Sequence, residues 1–292
     1  MAQQEFTQTF TQTFTRLKDL FSSRADVAFA VLFGSAATGR QGVESDVDVA
    51  VYFVPVSRTA GIDLENPDAS FAAEAPLWTA CEEITAREVD LVVLNRAPAT
   101  VAAAALLTGR MLCINHPGLY RAYFNAATSL AEEYRAFAED YIRIRARSRS
   151  LSPVDRDRLI RTIDYLRTEL EDASLYTDLS AARFESDRHY RRGLERWVEN
   201  LVNASIDIAK IVLASERVTV PQTYYSQLSR LRDLPRFARL SEQLAANTRV
   251  RNALAHEYLD LRHAQVSTVA ASAPALYSRL ADAATAWMHH AS

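Results

Sequence analysis

"LFGSAATGRQGVESDVDVAVYF", residues 32–53, decides the reading of the first half of this chain. One apolar run ends in Gly34 and Ser35, and a second begins with Asp46 and Asp48. The flanking "VAFAVLFG" and "DVDVAVYFV" read as strands, and so does "EVDLVVLN" at 88–95. Residues two apart on a strand point to the same side, so Asp46 and Asp48 project together. Side by side and uncompensated they repel, and burying them is costly. A divalent cation would relieve both problems. Mg²⁺ in particular takes oxygen ligands and keeps some waters and substrate phosphates. Asp90, on the 88–95 run, is the candidate third carboxylate, although Glu88 shares its strand face. Exposed N–H groups after Gly34 and Ser35 suit a phosphate, and glycine permits close approach. A lone Asp-x-Asp could equally be a pair of strand-edge charges. Its combination with the Gly-Ser turn and Asp90 points to nucleotide chemistry.

Working outward, Phe6, Phe10, Phe14, Leu17 and Phe21 recur at three and four, the period of an amphipathic helix. "PATVAAAALLTG" reads as a helix opened by proline and closed by glycine, and "RMLCIN" as a short strand. After about residue 117 strand signals nearly vanish. One long helix is expected from near Leu119 to near Arg147, then "SRSLSP" at 148–153 as a linker, then helices near 154–176, 186–215, 237–258 and 262–290. Trp197, Leu201, Ser205, Ile208 and Val212 fall on one helical stripe. The expected architecture is α+β: a small mixed-sheet domain over 1–116, a connecting helix and linker over 117–152, and an all-α helical bundle over 153–292.

The bulk numbers are compatible with this. The chain has 292 residues, 49% hydrophobic and 24% charged, with a net charge of −3. That charge gives no global case for nucleic-acid or membrane binding, so any basic site must be local. Cys81 and Cys113 lack metal-ligand spacing and make no disulfide framework, which fits a reducing cytoplasm. No apolar run approaches the roughly 20 residues of a membrane span. The opening "MAQQEFTQTF" lacks the pattern of a secretory signal.

"GSAATGRQGVESDVD" resembles the signature of polymerase-β-type nucleotidyltransferases, particularly the minimal (MNT) group, over roughly residues 5–115. The resemblance implies that Gly34 and Ser35 hold the triphosphate of ATP, and that Asp46, Asp48 and Asp90 are catalytic and bind Mg²⁺. The reaction it implies is attack of an acceptor on the α-phosphate with loss of pyrophosphate.

A second motif lies in "RVRNALAHEYLD", residues 249–260. In a regular helix Arg251 and His256 are five apart and diverge by about 140°. Taken alone, this is compatible with an amphipathic helix carrying a solvated arginine. Together with "LERWVENLVNASIDIAKIVLASERVTVPQTYYSQL", the stretch resembles a HEPN domain of the toxin type over roughly 153–275. That resemblance implies a metal-independent RNase site across a homodimer. Arg251 would stabilise the charged phosphorane and His256 would act as general acid/base. MNT antitoxins commonly accompany HEPN toxins, and some transfer AMP to the tyrosine of R-x-x-x-x-H-x-Y, here Tyr258. The expected acceptor is therefore the chain itself or a HEPN protomer, and RNA is a further expected partner. The rival readings are a small-molecule, aminoglycoside-like nucleotidyltransferase and a non-catalytic nucleotide-sensing module. Two basic stretches, Arg143 to Arg149 and Arg188 to Arg196, read either as solvated helix surface or as RNA-facing strips.

Overall fold

The computed structural model describes residues 2–34, 46–55, 62–147, 149–256 and 263–290. These divide into two compact units, 1–132 and 133–292.

The first unit is built on a four-stranded mixed sheet: β1 (Val27–Phe33), β2 (Val47–Phe53), β3 (Val89–Val93) and β4 (Arg110–Ile114), in the order β3-β2-β1-β4. β1 pairs antiparallel with both β2 and β4, while β2 and β3 run parallel. Parallel neighbours need a crossover connection, and the stretch between β2 and β3 contains helix α2 (Glu74–Thr85). Helix α1 (Ala2–Ser22) carries the expected three-and-four pattern. Its Leu17 and Phe21 are buried, joining Val49, Val51, Leu77, Cys81 and Leu91 in one apolar cluster. Each such side chain contributes about 1.5–3 kcal/mol by leaving water. The Phe6 and Phe10 side chains lie outside the described residues. Helix α3 (Ala99–Thr108) is bounded by Pro98 and Gly109, as its sequence indicates.

Alternation along β2 sends Val47, Val49, Val51 and Phe53 into that cluster and Asp48, Ala50 and Tyr52 to the opposite face. There Tyr52 stacks on Phe29 with ring centroids 5.0 Å apart. Tyr123, from helix α4 (Pro117–Arg147), lies 4.5 Å from Tyr52 and donates its hydroxyl to the Leu94 carbonyl at 2.7 Å. The sheet is thus covered around Tyr52 and Phe29, while Asp48 sits at the other end of β2.

Every regular element described in the second unit is a helix. It begins within α4 and continues with α5 (Pro153–Glu171), α6 (Ala181–Ser186), α7 (Arg188–Ser215), α8 (Tyr224–Arg230), α9 (Ser241–His256) and α10 (His263–Met288). Helix α7 packs against α5, α9 and α10. Its stripe of Trp197, Leu201, Ser205, Ile208 and Val212 is buried, as the periodicity requires. The helix starts are encoded locally. Ser152 accepts from the Asp155 amide with Pro153 in the first turn, Asp187 accepts from His189 and Tyr190, and Thr223 forms a capping box with Ser226. Among the described residues no helix is long and apolar enough to cross a membrane. The architecture is α+β in the first unit and all-α in the second.

Candidate active site

Strand register brings two of the three carboxylates together. Asp48 of β2 is the direct parallel partner of Asp90 of β3. Asp46 is exposed and immediately precedes β2, where the Val47 amide donates to the Glu88 carbonyl at 3.0 Å. Glu88 therefore lies towards Asp46, and Asp90 lies beside Asp48.

Gly34 follows β1, next to Phe33, which is the cross-strand partner of Asp48. Its φ is +70°, and a Cβ there would come 2.0 Å from Asp48 Oδ2 and 2.8 Å from its Cγ. Both the backbone conformation and the approach of the carboxylate require glycine. Ser35, the second member of the turn, lies outside the described residues.

The Asp48 carboxyl is pushed above its ordinary range, first by loss of water and then by the charges of Asp90 and Asp46. Loss of water and like charge both disfavour the ionised form here. The donor set is hard carboxylate oxygen, which suits Mg²⁺, and such an ion would cancel the repulsion. The three side chains do not close on one point, however. Among the described residues no group of three or more His, Cys, Asp or Glu side chains is arranged to hold a metal ion. The set fits a divalent cation by chemistry and neighbourhood, without a closed ligand cage.

Of the second motif, the described residues place the Arg251 side chain. Arg251 and His256 both lie on α9, and His256 is its last residue. The His256 side chain and all of Tyr258 lie outside the described residues. Arg251 is buried, with 6% of its surface exposed. Its Nε donates to Asn203 Oδ1 at 2.8 Å and its Nη1 to Glu133 Oε2 at 3.0 Å. Nη2 completes a bidentate pair with Glu133 Oε1. The guanidinium stands 5.4 Å from the Tyr224 ring centroid, and the Tyr224 hydroxyl donates to Glu133 Oε1 at 3.1 Å. Burial and the neighbouring Glu133 charge push the Tyr224 phenol well above its ordinary range.

A cavity of about 410 Å³ opens beside this cluster, with Glu133, Asn203, Lys210, Tyr224 and Arg251 in its wall. Lys210 bridges Asp140 and Asp207, each at 2.9 Å. The sequence motifs do not single out Glu133, Asn203, Asp140, Lys210 or Tyr224. Asn203 and Lys210 carry a local cue, a polar residue among the apolar positions of α7.

The basic strips carry several local pairs. Arg143 faces Asp140 at 3.8 Å, Arg147 pairs with Asp155, and Arg196 pairs with Glu199 at 3.0 Å.

Comparison with known proteins agrees with this division. Residues 15–117 match the family model described as "Polymerase beta, Nucleotidyltransferase". Residues 166–281 match the one described as "Ribonuclease HepT-like". The chain therefore joins a polymerase-β-type nucleotidyltransferase domain to a HepT-like, HEPN-type domain. A search of curated proteins finds no match. Among solved structures, one titled "Crystal structure of the toxin-antitoxin with AMP-PNP" is similar at 20% identity, over 44% of this chain and 93% of that one, with a TM-score of 0.34. That score is too low to carry a structural argument.

Proposed function

We propose that this protein is a Mg²⁺-dependent adenylyltransferase that moves AMP from ATP to Tyr258, a tyrosine of its own HEPN domain or of a second protomer. The observation that supports it best is the juxtaposition of Gly34, Asp48 and Asp90 inside a matched nucleotidyltransferase domain.

Gly34 and Ser35 would receive the triphosphate through backbone N–H groups. Asp46, Asp48 and Asp90 would hold Mg²⁺, which supplies stabilisation of the charge on the attacking and leaving oxygens. The Tyr258 phenolic oxygen attacks the α-phosphorus as the bond to the bridging oxygen breaks. Pyrophosphate leaves, and the phenol's proton passes to water. The adduct would put a phosphate two residues beyond His256. If Arg251 and His256 form a metal-independent RNase site, that charge would repel the RNA phosphate and silence it.

One observation favours the alternative of small-molecule transfer. Arg251 is engaged by Glu133, as it would be if the helical domain served only to bind an acceptor. Intact-mass spectrometry of the full chain, with and without ATP and Mg²⁺, separates the two. The expected result is a mass increase of one AMP that maps to Tyr258 and is lost in Tyr258→Phe and in Asp46→Ala/Asp48→Ala. An unchanged mass, or an adduct on another residue, would overturn the tyrosine assignment.

A further inference from the structure

Glu133 and Arg251 form a bidentate pair in the wall of the cavity. The guanidinium is otherwise supported without Glu133. Asn203 accepts from Nε at 2.8 Å, and the Tyr224 ring lies alongside at 5.4 Å. Glu133 differs from Arg251 in exposure, because its side chain is 33% accessible while that of Arg251 is 8%. The acid is therefore the more solvent-exposed partner and the base the more buried one. Asn203, Tyr224 and Arg251 all reach the wall of the same cavity of about 410 Å³.

A carboxylate bound side-on to a guanidinium offers two oxygens to two parallel N–H donors. A phosphate diester binds the same fork in the same way. The remaining fixed cation of the wall, Lys210, is already matched by Asp140 and Asp207. Asp207 is also partly open to solvent, but Lys210 keeps the more buried Asp140 beside it, whereas the acid paired with Arg251, Glu133, is the partly open one.

We propose that Glu133 is an internal occupant of a phosphate subsite formed by Arg251 and positioned by Asn203 and Tyr224, so that an RNA phosphate enters only by displacing it. In this arrangement Glu133 keeps the HEPN site closed before any nucleotide is transferred. The closed and open states differ by rotation of one side chain, and no bond is made or broken. The idea rests on the reading of Arg251 as a phosphate-contacting residue. It adds a resident competitor, and it assigns Asn203 and Tyr224 as positioning residues.

The test measures binding apart from cleavage. The probe is a fluorescein-labelled single-stranded RNA with 2′-O-methyl sugars, which cannot be cut by attack of its own 2′-hydroxyl, and the protein is the full chain. Glu133→Gln keeps size and one acceptor but removes the charge. It is expected to bind the probe about tenfold more tightly than the wild type, as unmasking a cation at a charge-paired site should do. Adding Arg251→Met should return binding to the wild-type level. Should Glu133→Gln not fold, Glu133→Asp decides, because its shorter arm loosens the bidentate pair while keeping the charge, and a smaller gain is expected. Folded variants with no gain, or a gain that survives Arg251→Met, would overturn the proposal. Inorganic phosphate at high concentration is expected to compete away the gain, since it uses the same fork, and a gain indifferent to phosphate would overturn the proposal. Tighter binding with no cleavage of ordinary RNA supports the proposal while removing the nuclease reading, so the two fail separately.

Discussion

Asp48 shows how one residue can carry both a structural cost and a function. It lies on the sheet face opposite the main apolar cluster, beside Asp90 and against Gly34. Burial and the two neighbouring carboxylates raise its pKa. A carboxyl raised in the fold favours the protonated form there. Its stabilising contribution is complete below the free-carboxyl range near about 4, and is lost as pH rises through the elevated value. At neutral pH and without metal, the wild type therefore bears a repulsion that Asp48→Asn lacks. The variant should melt at a higher temperature than the wild type at pH 7 in chelator. Adding Mg²⁺ should raise the melting temperature of the wild type and leave that of the variant unchanged. Differential scanning calorimetry in the two buffers checks this. Equal responses to Mg²⁺ would place the cation elsewhere. The sequence announces this residue through Asp-x-Asp and through Gly34 before it. It left Asp90 and Glu88 as rivals on one strand face, since only the parallel pairing of β2 and β3 places Asp90 beside Asp48.

At the scale of elements, periodicity was enough for most of the molecule. The strands around residues 27–53 and 89–93, the helix between Pro98 and Gly109, and the long α7 stripe all follow from spacing and punctuation. Helix α2 is hard to read from "EAPLWTACEEIT" because it fully buries just Leu77 and Cys81, with Ile84 partly buried against the same cluster. So short an inward stripe makes a weak periodic signal. The Glu133–Arg251 pair was beyond sequence reasoning for another reason: its partners are 118 residues apart. Side-chain type alone does not select one acid among many across that distance.

Glu65 belongs to the same scale. Its carboxylate accepts from the Ala99 amide at 2.8 Å and so satisfies an open N–H at the start of α3. Burial lifts its pKa to about 7. Since the folded value is raised, its contribution is present in full below about 4 and is lost as pH rises through about 7. Glu65→Gln keeps an acceptor for Ala99 without acquiring a charge. It should match the wild type near pH 4 and exceed it in denaturant midpoint at pH 8. Urea titrations at the two pH values test this, and a variant weaker than the wild type at pH 8 would show that the charge itself supports the helix.

Across the whole molecule the basic side chains are almost entirely arginine. Lys18 and Lys210 are the chain's two lysines. Arginine's fixed planar fork suits the paired contacts seen at Arg96–Glu74 and Arg251–Glu133. Lys210 fills a different need, a compact ammonium between two carboxylates with 7% of its side chain exposed. The consequence lies in amine chemistry. A brief pulse of an acetylating reagent should modify exposed Lys18 and spare Lys210, whose nitrogen is buried and held by Asp140 and Asp207. Tryptic peptide mass spectrometry reads the two sites in one sample. Because Lys210 shares a cavity wall with Arg251, its acylation rate becomes a label-based gauge of how often that wall opens. It should rise in Glu133→Gln, and an unchanged rate would mean that the ammonium and the guanidinium are uncovered by separate motions.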